Sequence, residues 1–296
     1  MAIPKGKLIA IGGNEDKGTY PNPLSKKKYY LDFFELGILK RIVTELQVTN
    51  PRIEVITSAS MIPEEVGERY LGAFGILGCN NIGLMHIRTP EDANHPAYLE
   101  RLRATDGILF AGGDQSRLVN FFGQSKFLEI CQERYQLEPN FVISGTSAGA
   151  MAMSEIMIKG GSSPESLMKG AVKLRDGLGF IRNVIIDSHF VKRGRFGRLI
   201  EAVGTHPRAI GIGLGEDTGV LIKNGNQIET IGSNLVIIID GHHIQHNNTP
   251  EVPKGTALSI ENLIMHVLAK GNLFDIAERT FYRDQETHRR REDIAY

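Results

Sequence analysis

The sequence predicts an α/β fold: a mostly parallel sheet flanked by helices, with an antiparallel extension towards its C-terminal end. Three observations carry this prediction. Short apolar runs alternate with helical periods through the first two-thirds of the 296 residues. Each run is only about four residues long, as strands buried on both faces tend to be. Most runs close in a Gly-containing turn that leads into a helical stretch, the rhythm of repeated strand–helix units.

Taken in order, Leu8-Ile9-Ala10-Ile11 is the first strand, closed by Gly12-Gly13. Leu31, Glu35, Ile38, Leu39, Ile42 and Leu46 then recur mostly at helical spacing, with Glu35 the polar exception. Ile53–Ile56 is the next strand. Pro63 opens a helix carrying Val66, Tyr70, Leu71 and Phe74, because a first turn has no use for the N–H that proline lacks. Ile82–Met85, Gly107–Phe110 and Phe141–Ser144 continue the strands. After about Gly204 the rhythm changes. Val220-Leu221-Ile222 and Ile228–Ile231 flank Asn224-Gly225, a pair that supplies the positive φ angles of a tight hairpin turn. Leu235–Asp240 is one more apolar strand, expected to extend the same sheet. No linker-like stretch interrupts the chain, so residues 1–296 are expected to form a single domain. Residues 275–296, rich in Arg and Glu, read as a charged C-terminal helix or tail.

Composition narrows the function. Lys plus Arg and Asp plus Glu number 34 each, giving a formal net charge of zero. Nucleic-acid binding, which needs a basic surplus, is therefore not expected. No window approaches the roughly 18 apolar residues of a membrane span, and Met1–Lys7 leads into too short an apolar run for a signal peptide. Cys79 and Cys131 form neither a CxxC pair nor a zinc spacing and read as buried free thiols. They fit a reducing, cytoplasmic setting. No cofactor and no metal is expected. His242, His243 and His246 near Asp240 leave a metal site open, with a polar hairpin as the plainer reading. The segment Gly13–Thr19 superficially suggests a phosphate-binding loop. It lacks a lysine before Thr19, and no GxGxxG occurs, so a nucleotide-binding module is the weaker reading.

The sharpest signal is Gly145-Thr146-Ser147-Ala148-Gly149, a G-x-S-x-G directly after Phe141–Ser144. The bare pattern is short and arises by chance; its position after a strand gives it meaning. A serine on a strained strand-to-helix bend projects its Oγ above the sheet edge, and small neighbours leave room for the crowded backbone. The same bend aims the amide of the next residue, Ala148, at a developing oxyanion. A hydroxyl needs a base, and the base needs an orienting group. His189 stands at the end of the strand Val184-Ile185-Ile186, beside Asp187. Glu216, after the run Ala209–Leu214, suits the orienting role, with Glu165 in a Gly/Ser-rich loop as its rival. A second oxyanion donor is expected from Gly112-Gly113, in the turn after Phe110.

These segments resemble a known family. Gly112-Gly113-Asp114-Gln115, the Ser147 elbow, Asp187-Ser188-His189-Phe190, Arg193–Leu199 and Glu216-Asp217-Thr218 occur in the order seen in cyanophycinases. The resemblance spans roughly residues 8–240. It implies a Ser-His-Glu peptidase, related to aspartyl dipeptidases, on a flavodoxin-like fold similar to class I glutamine amidotransferases. It further implies Ser147 as nucleophile, His189 as base, Glu216 as orienter, and the Gly113 and Ala148 amides as oxyanion hole. The substrate side would be lined by Gln115, Asp187, Ser188, Arg193, Arg195 and Arg198, with Glu15, Asp16 and Lys17 nearby. The implied substrate is cyanophycin, a poly-aspartate carrying arginine on its side chains, released as β-Asp-Arg dipeptides by a homodimer. An α-aspartyl dipeptidase or other isoaspartyl peptidase is the alternative. The three arginines offer planar forks for carboxylates, or simply a solvated helix face; Asp187, Glu15 or Asp16 could meet a guanidinium. The last two could equally cap a helix dipole. Ser188 and Asn14 depart from the family's usual Gln and its Ala or Gly, at positions expected to face substrate.

Overall fold

The computed structural model describes residues 2–18, 32–161 and 163–282. The first half runs β1 (Lys7–Ile11), α1 (Ile38–Leu46), β2 (Ile53–Ile56), α2 (Pro63–Ile76), β3 (Ile82–Met85) and α3 (Pro96–Ala104). It continues through β4 (Gly107–Phe110), α4 (Gln115–Phe122), α5 (Lys126–Leu137), β5 (Val142–Thr146) and α6 (Ala148–Ala152). Next come β6 (Ile156–Gly160), β7 (Lys173–Asp176), β8 (Val184–Asp187), α7 (Phe196–Thr205) and β9 (Ile210–Leu214). The chain closes with β10 (Thr218–Lys223), β11 (Gln227–Gly232), β12 (Val236–Asp240), β13 (Ile264–Leu268), β14 (Leu273–Asp275) and β15 (Thr280–Tyr282).

Nine strands form the main sheet in the order β15-β14-β11-β10-β1-β5-β4-β2-β3. From β1 to β3 every pairing is parallel. From β1 towards β15 every pairing is antiparallel. Alternate residues of β1 serve two cores, as the period of a strand demands. Leu8 and Ala10 join Phe110, Ile143 and the second half of the chain on one face. Ile9 and Ile11 pack with Leu109, Val142 and the apolar faces of α1 and α2 on the other. Burial on both faces explains why these strands read as unbroken apolar runs.

A second sheet, β13-β12-β9-β8, shares the first of these cores. Leu235–Asp240 was expected to extend the main sheet, but it supplies β12 of this second sheet, antiparallel to β9. An apolar run tells that a strand is buried and leaves open which sheet buries it. Glu35 lies in a turn, and α1 starts only at Ile38, because Gly37 holds an extended backbone at φ −63°, ψ 151°. Leu31 and Thr19 lie outside the described residues. The expected C-terminal helix is a hairpin where it is described: β14 and β15 pair Leu273 with Tyr282, and Phe274 and Tyr282 are buried. Two buried aromatics anchor this hairpin, and the residues beyond 282 lie outside the description. Among the described residues, no helix is long and apolar enough to cross a membrane.

Candidate active site

In open sheets of this kind, ligand sites form beyond the carboxyl ends of the strands. Strand β5 passes into α6 through a single residue, Ser147, at φ 52°, ψ −110°. That is a conformation L-residues rarely adopt, and it turns the hydroxyl out of the sheet. Small residues make the bend possible. A Cβ on Gly149 would overlap the Phe110 carbonyl of the neighbouring strand β4. The Ser147 N–H is tied to the Ile11 carbonyl at 2.8 Å.

His189 follows β8 by two residues and also has a positive φ, 48°. Its Nε2 lies 3.0 Å from Ser147 Oγ, and its Nδ1 lies 3.0 Å from Oε1 of Glu216, two residues past β9. A carboxylate only accepts hydrogen bonds, so the ring proton sits on Nδ1 and leaves Nε2 free to accept the serine proton. Burial pushes the His189 pKa below its usual 6.5, aided by Arg193 and Arg195, against the pull of Glu216. The imidazole is thus neutral near pH 7. Burial alone would raise the Glu216 pKa, but hydrogen bonds from His189, Lys192 and Asn14 hold it below 4.5. Lys192 Nζ and Asn14 Nδ2 both reach Oε2, at 3.1 and 3.2 Å. Glu165, the rival acid, is exposed, and the His189 Nδ1 position is taken by Glu216.

Ala148 opens α6, so its N–H has no acceptor within the helix. Gly113 lines the cleft with Ser147 and has φ 147°, where a Cβ would overlap the Ala59 carbonyl, so no side chain fits. Ser147, His189, Gly112 and Gly113 line a cleft of about 390 Å³, whose rim adds Arg193 and, from α2, Arg69.

The residues expected on the substrate side divide. Arg193 lines the cleft and is exposed. Asp187, Ser188 and Arg198 do not face it: they are 0, 1 and 5% exposed. Arg198 Nε donates to Asp187 Oδ2 at 2.7 Å, its Nη2 donates to Oδ1, and Arg195 Nη1 reaches the same carboxylate at 3.1 Å. Ser188 Oγ turns to Met151 Sδ at 3.2 Å. The reason is placement. Asp187 ends a strand buried against α7, and a buried carboxylate requires a buried cation. Positions 195 and 198 are three apart and present both guanidiniums on one side of the α7 start. Gln115 opens α4 with its Nε2 committed to the Ile158 and Lys159 carbonyls, at 2.9 and 3.0 Å. Asn14 lines the cleft, exposed, and donates to Glu216 there. Asp16 Oδ1 closes a local turn by accepting from Gly18 N–H at 2.9 Å. His242 rests on Asp240, with Nδ1 2.6 Å from Oδ2.

Glu15 is buried, 4% exposed, and holds three partners. Lys17 Nζ donates at 2.8 Å, Thr146 Oγ1 at 2.6 Å, and Tyr70 OH completes the set. Burial opposes its charge, yet the Lys17 charge and these hydrogen bonds bring its pKa down to about 2. Tyr70, Arg69 and Lys192 were not singled out in the sequence. The only signal for Tyr70 was a hydroxyl on the buried stripe of α2.

A serine, a neutral imidazole and a carboxylate in line past the carboxyl ends of β5, β8 and β9 have the arrangement of the relay of serine-type hydrolases. Residues 33–230 match peptidase family S51, and the chain belongs to that family of serine-type peptidases. Over 277 residues it is 34% identical to the cyanophycinase of Trichormus variabilis, covering 93% of this chain and 87% of that protein. It is 34% identical to the cyanophycinase of Geminocystis herdmanii over 274 residues, 92% of this chain and 94% of that one. The crystal structure of a peptidase from an acI-B1 actinobacterium superimposes with a TM-score of 0.61 at 19% identity, over 91% of this chain and 96% of that one. That likeness establishes the fold.

Proposed function

We propose that the chain is a serine exopeptidase that hydrolyses cyanophycin to β-Asp-Arg dipeptides through an acyl-enzyme. The observation that carries this reading is the unbroken relay Ser147–His189–Glu216, 3.0 Å at each step, in a chain whose relatives are cyanophycinases. Ser147 Oγ attacks the backbone carbonyl between two aspartates while His189 Nε2 takes its proton. The oxyanion meets the N–H groups of Gly113 and Ala148. Collapse of this intermediate expels the amine, which receives the proton back from His189. A water molecule, deprotonated by the same nitrogen, then attacks the acyl-enzyme and frees the dipeptide. Glu216 keeps the imidazole in the productive tautomer and stabilises its cationic form. Each substrate unit bears a free arginine carboxylate, and Arg193 on the cleft rim is a planar fork suited to it. The reading treats residues 1–296 as one catalytic domain that acts in the cytoplasm as a homodimer. The location is supported by the two buried free cysteines, and the dimer by the family resemblance.

The test is incubation with purified cyanophycin and mass analysis of the products. β-Asp-Arg released by the wild type and not by Ser147→Ala supports the reading. Intact cyanophycin beside hydrolysed Asp-X dipeptides would replace it with an aspartyl dipeptidase.

A further inference from the structure

Six consecutive residues at the carboxyl end of β1 each hold a relay residue or its immediate neighbour in the chain. The Ile11 and Gly12 carbonyls accept the N–H groups of Ser147 and His189, both at 2.8 Å. The Gly13 carbonyl accepts the N–H of Asp217, the neighbour of Glu216, at 2.9 Å. Asn14 Nδ2 donates to Glu216 Oε2 at 3.2 Å. Glu15 Oε2 accepts from Thr146 Oγ1 at 2.6 Å, one residue before the serine. The Asp16 N–H returns to Asp217 Oδ1 at 3.0 Å. Three segments far apart in sequence are thus registered against a single one.

The carboxylate of Glu15 also reaches helix α2. Its Oε1 accepts from Tyr70 OH on α2 and from Lys17 Nζ at 2.8 Å, and Lys17 Nζ lies 4.9 Å from the Tyr70 ring centroid. Glu15 borders the cleft, but its side chain is only 1% exposed and both oxygens are already taken by these partners. Ser147 meanwhile sits at φ 52°, ψ −110°, a conformation that persists only where its surroundings over-determine it.

We infer that Glu15 is a positioning residue for the nucleophile: by clamping the β1 loop and α2 onto Thr146, it fixes the reach from Ser147 to His189. The inference rests on the proposed roles of those two side chains. It opposes the other role the sequence offered Glu15, partner of a substrate guanidinium, and the two differ in what they predict.

The test compares Glu15→Gln, Tyr70→Phe, Thr146→Val and Thr146→Ser with the wild type. Readouts are thermal unfolding, cyanophycin kinetics and the rate of serine labelling by a fluorophosphonate. The label carries neither aspartate nor arginine, so it reports the relay geometry independently of substrate. A misplacement of about 1 Å costs roughly 100-fold in rate. Glu15→Gln is expected to lower kcat and the labelling rate together, by up to about that factor, with KM within about twofold. Tyr70→Phe and Thr146→Val should follow by about tenfold, and Thr146→Ser, which keeps the hydroxyl, should restore wild-type rates. Unchanged labelling with a raised KM would overturn the inference and assign Glu15 to substrate binding. Activity lost only in proportion to the unfolded fraction would overturn it in favour of a purely structural role. A wild type that the fluorophosphonate does not label, with cyanophycin still cleaved or not, would remove the serine reading and this inference with it.

Discussion

Asp187 and Glu216 stand at the carboxyl ends of two adjacent parallel strands, β8 and β9, yet they meet opposite environments. Asp187 is fully buried under the fork of Arg198 and beside Arg195. Glu216 keeps 15% of its side chain exposed and faces an imidazole and the exposed Lys192. One carboxylate locks a helix to a strand; the other holds the His189 ring and, in the proposed mechanism, would steady its charge. Strand-end position and charge are shared by both. What separates them is what stands opposite: two guanidiniums at Asp187, and at Glu216 the ring of His189, which positive φ swings to the cleft.

The comparison can be broken most directly at the proposed nucleophile. Ser147→Ala should lower kcat/KM on cyanophycin by roughly 10⁴-fold or more while leaving the melting temperature near that of the wild type. On the buried side the pattern should invert. Arg198→Met removes the main partner of a buried carboxylate and should destabilise the fold by about 3–5 kcal/mol in denaturant unfolding. Combining it with Asp187→Leu should recover part of that loss, because the buried carboxylate is gone while Arg195, which also bonded it, keeps the Ser188 carbonyl. A KM effect in the folded double variant would move this pair back to the substrate side.

Gly13→Ala tests the seam between the two regions. Gly13 has φ 101°, and a Cβ there would lie 2.5 Å from the His189 ring. The variant should lose about 100-fold in kcat by displacing the imidazole, and about 1–3 kcal/mol of stability from backbone strain. A folded Gly13→Ala protein with wild-type kcat would show that the ring has room to move.

The smallest effects belong to Arg193. Its exposed position predicts an unchanged melting temperature and a KM raised about tenfold for Arg193→Ala. The pH dependence follows from His189. Its pKa is lowered, so protonation, which disables the base, sets in below pH 6.5, and kcat/KM should fall only on that acid side. Arg193 is among the charges that lower this pKa, after burial, so its removal should move the acid limb to higher pH. A limb moving the other way would contradict the placement of Arg193 beside the imidazole.

The parallel half of the main sheet and the elbow were legible because their signals are local. A four-residue apolar run, a Gly-containing turn and a serine between small residues each state their own conformation. The second sheet was not legible. β8, β9 and β12 carry the same apolar pattern as the main strands, and only pairing across the fold assigns them. The arginine segment misled for a related reason: three guanidiniums near His189 look alike in sequence, and the direction of α7 decides that Arg198 goes inward while Arg193 stays out. Asn14 and Ser188 stood out as departures from the family pattern and were expected at the substrate. Asn14 does line the cleft, while Ser188 is buried on Met151, which shows that an unusual residue beside a catalytic segment can answer to its neighbours in the fold. Glu15 drew notice for its charge, and its three partners come from α2, β5 and its own loop, a convergence that no spacing announces.

The place of β1 in the main sheet has a dynamic consequence. It is fifth of nine, bonded to β5 on one side and to β10 on the other. Fraying begins at the rims, with β3 and β15, and has to travel inward through every intervening strand before it reaches residues 7–11. The protein can therefore breathe at both margins without loosening the bench on which serine, histidine and glutamate are aligned, and amide hydrogens along β1 should be among the last to exchange with deuterated solvent.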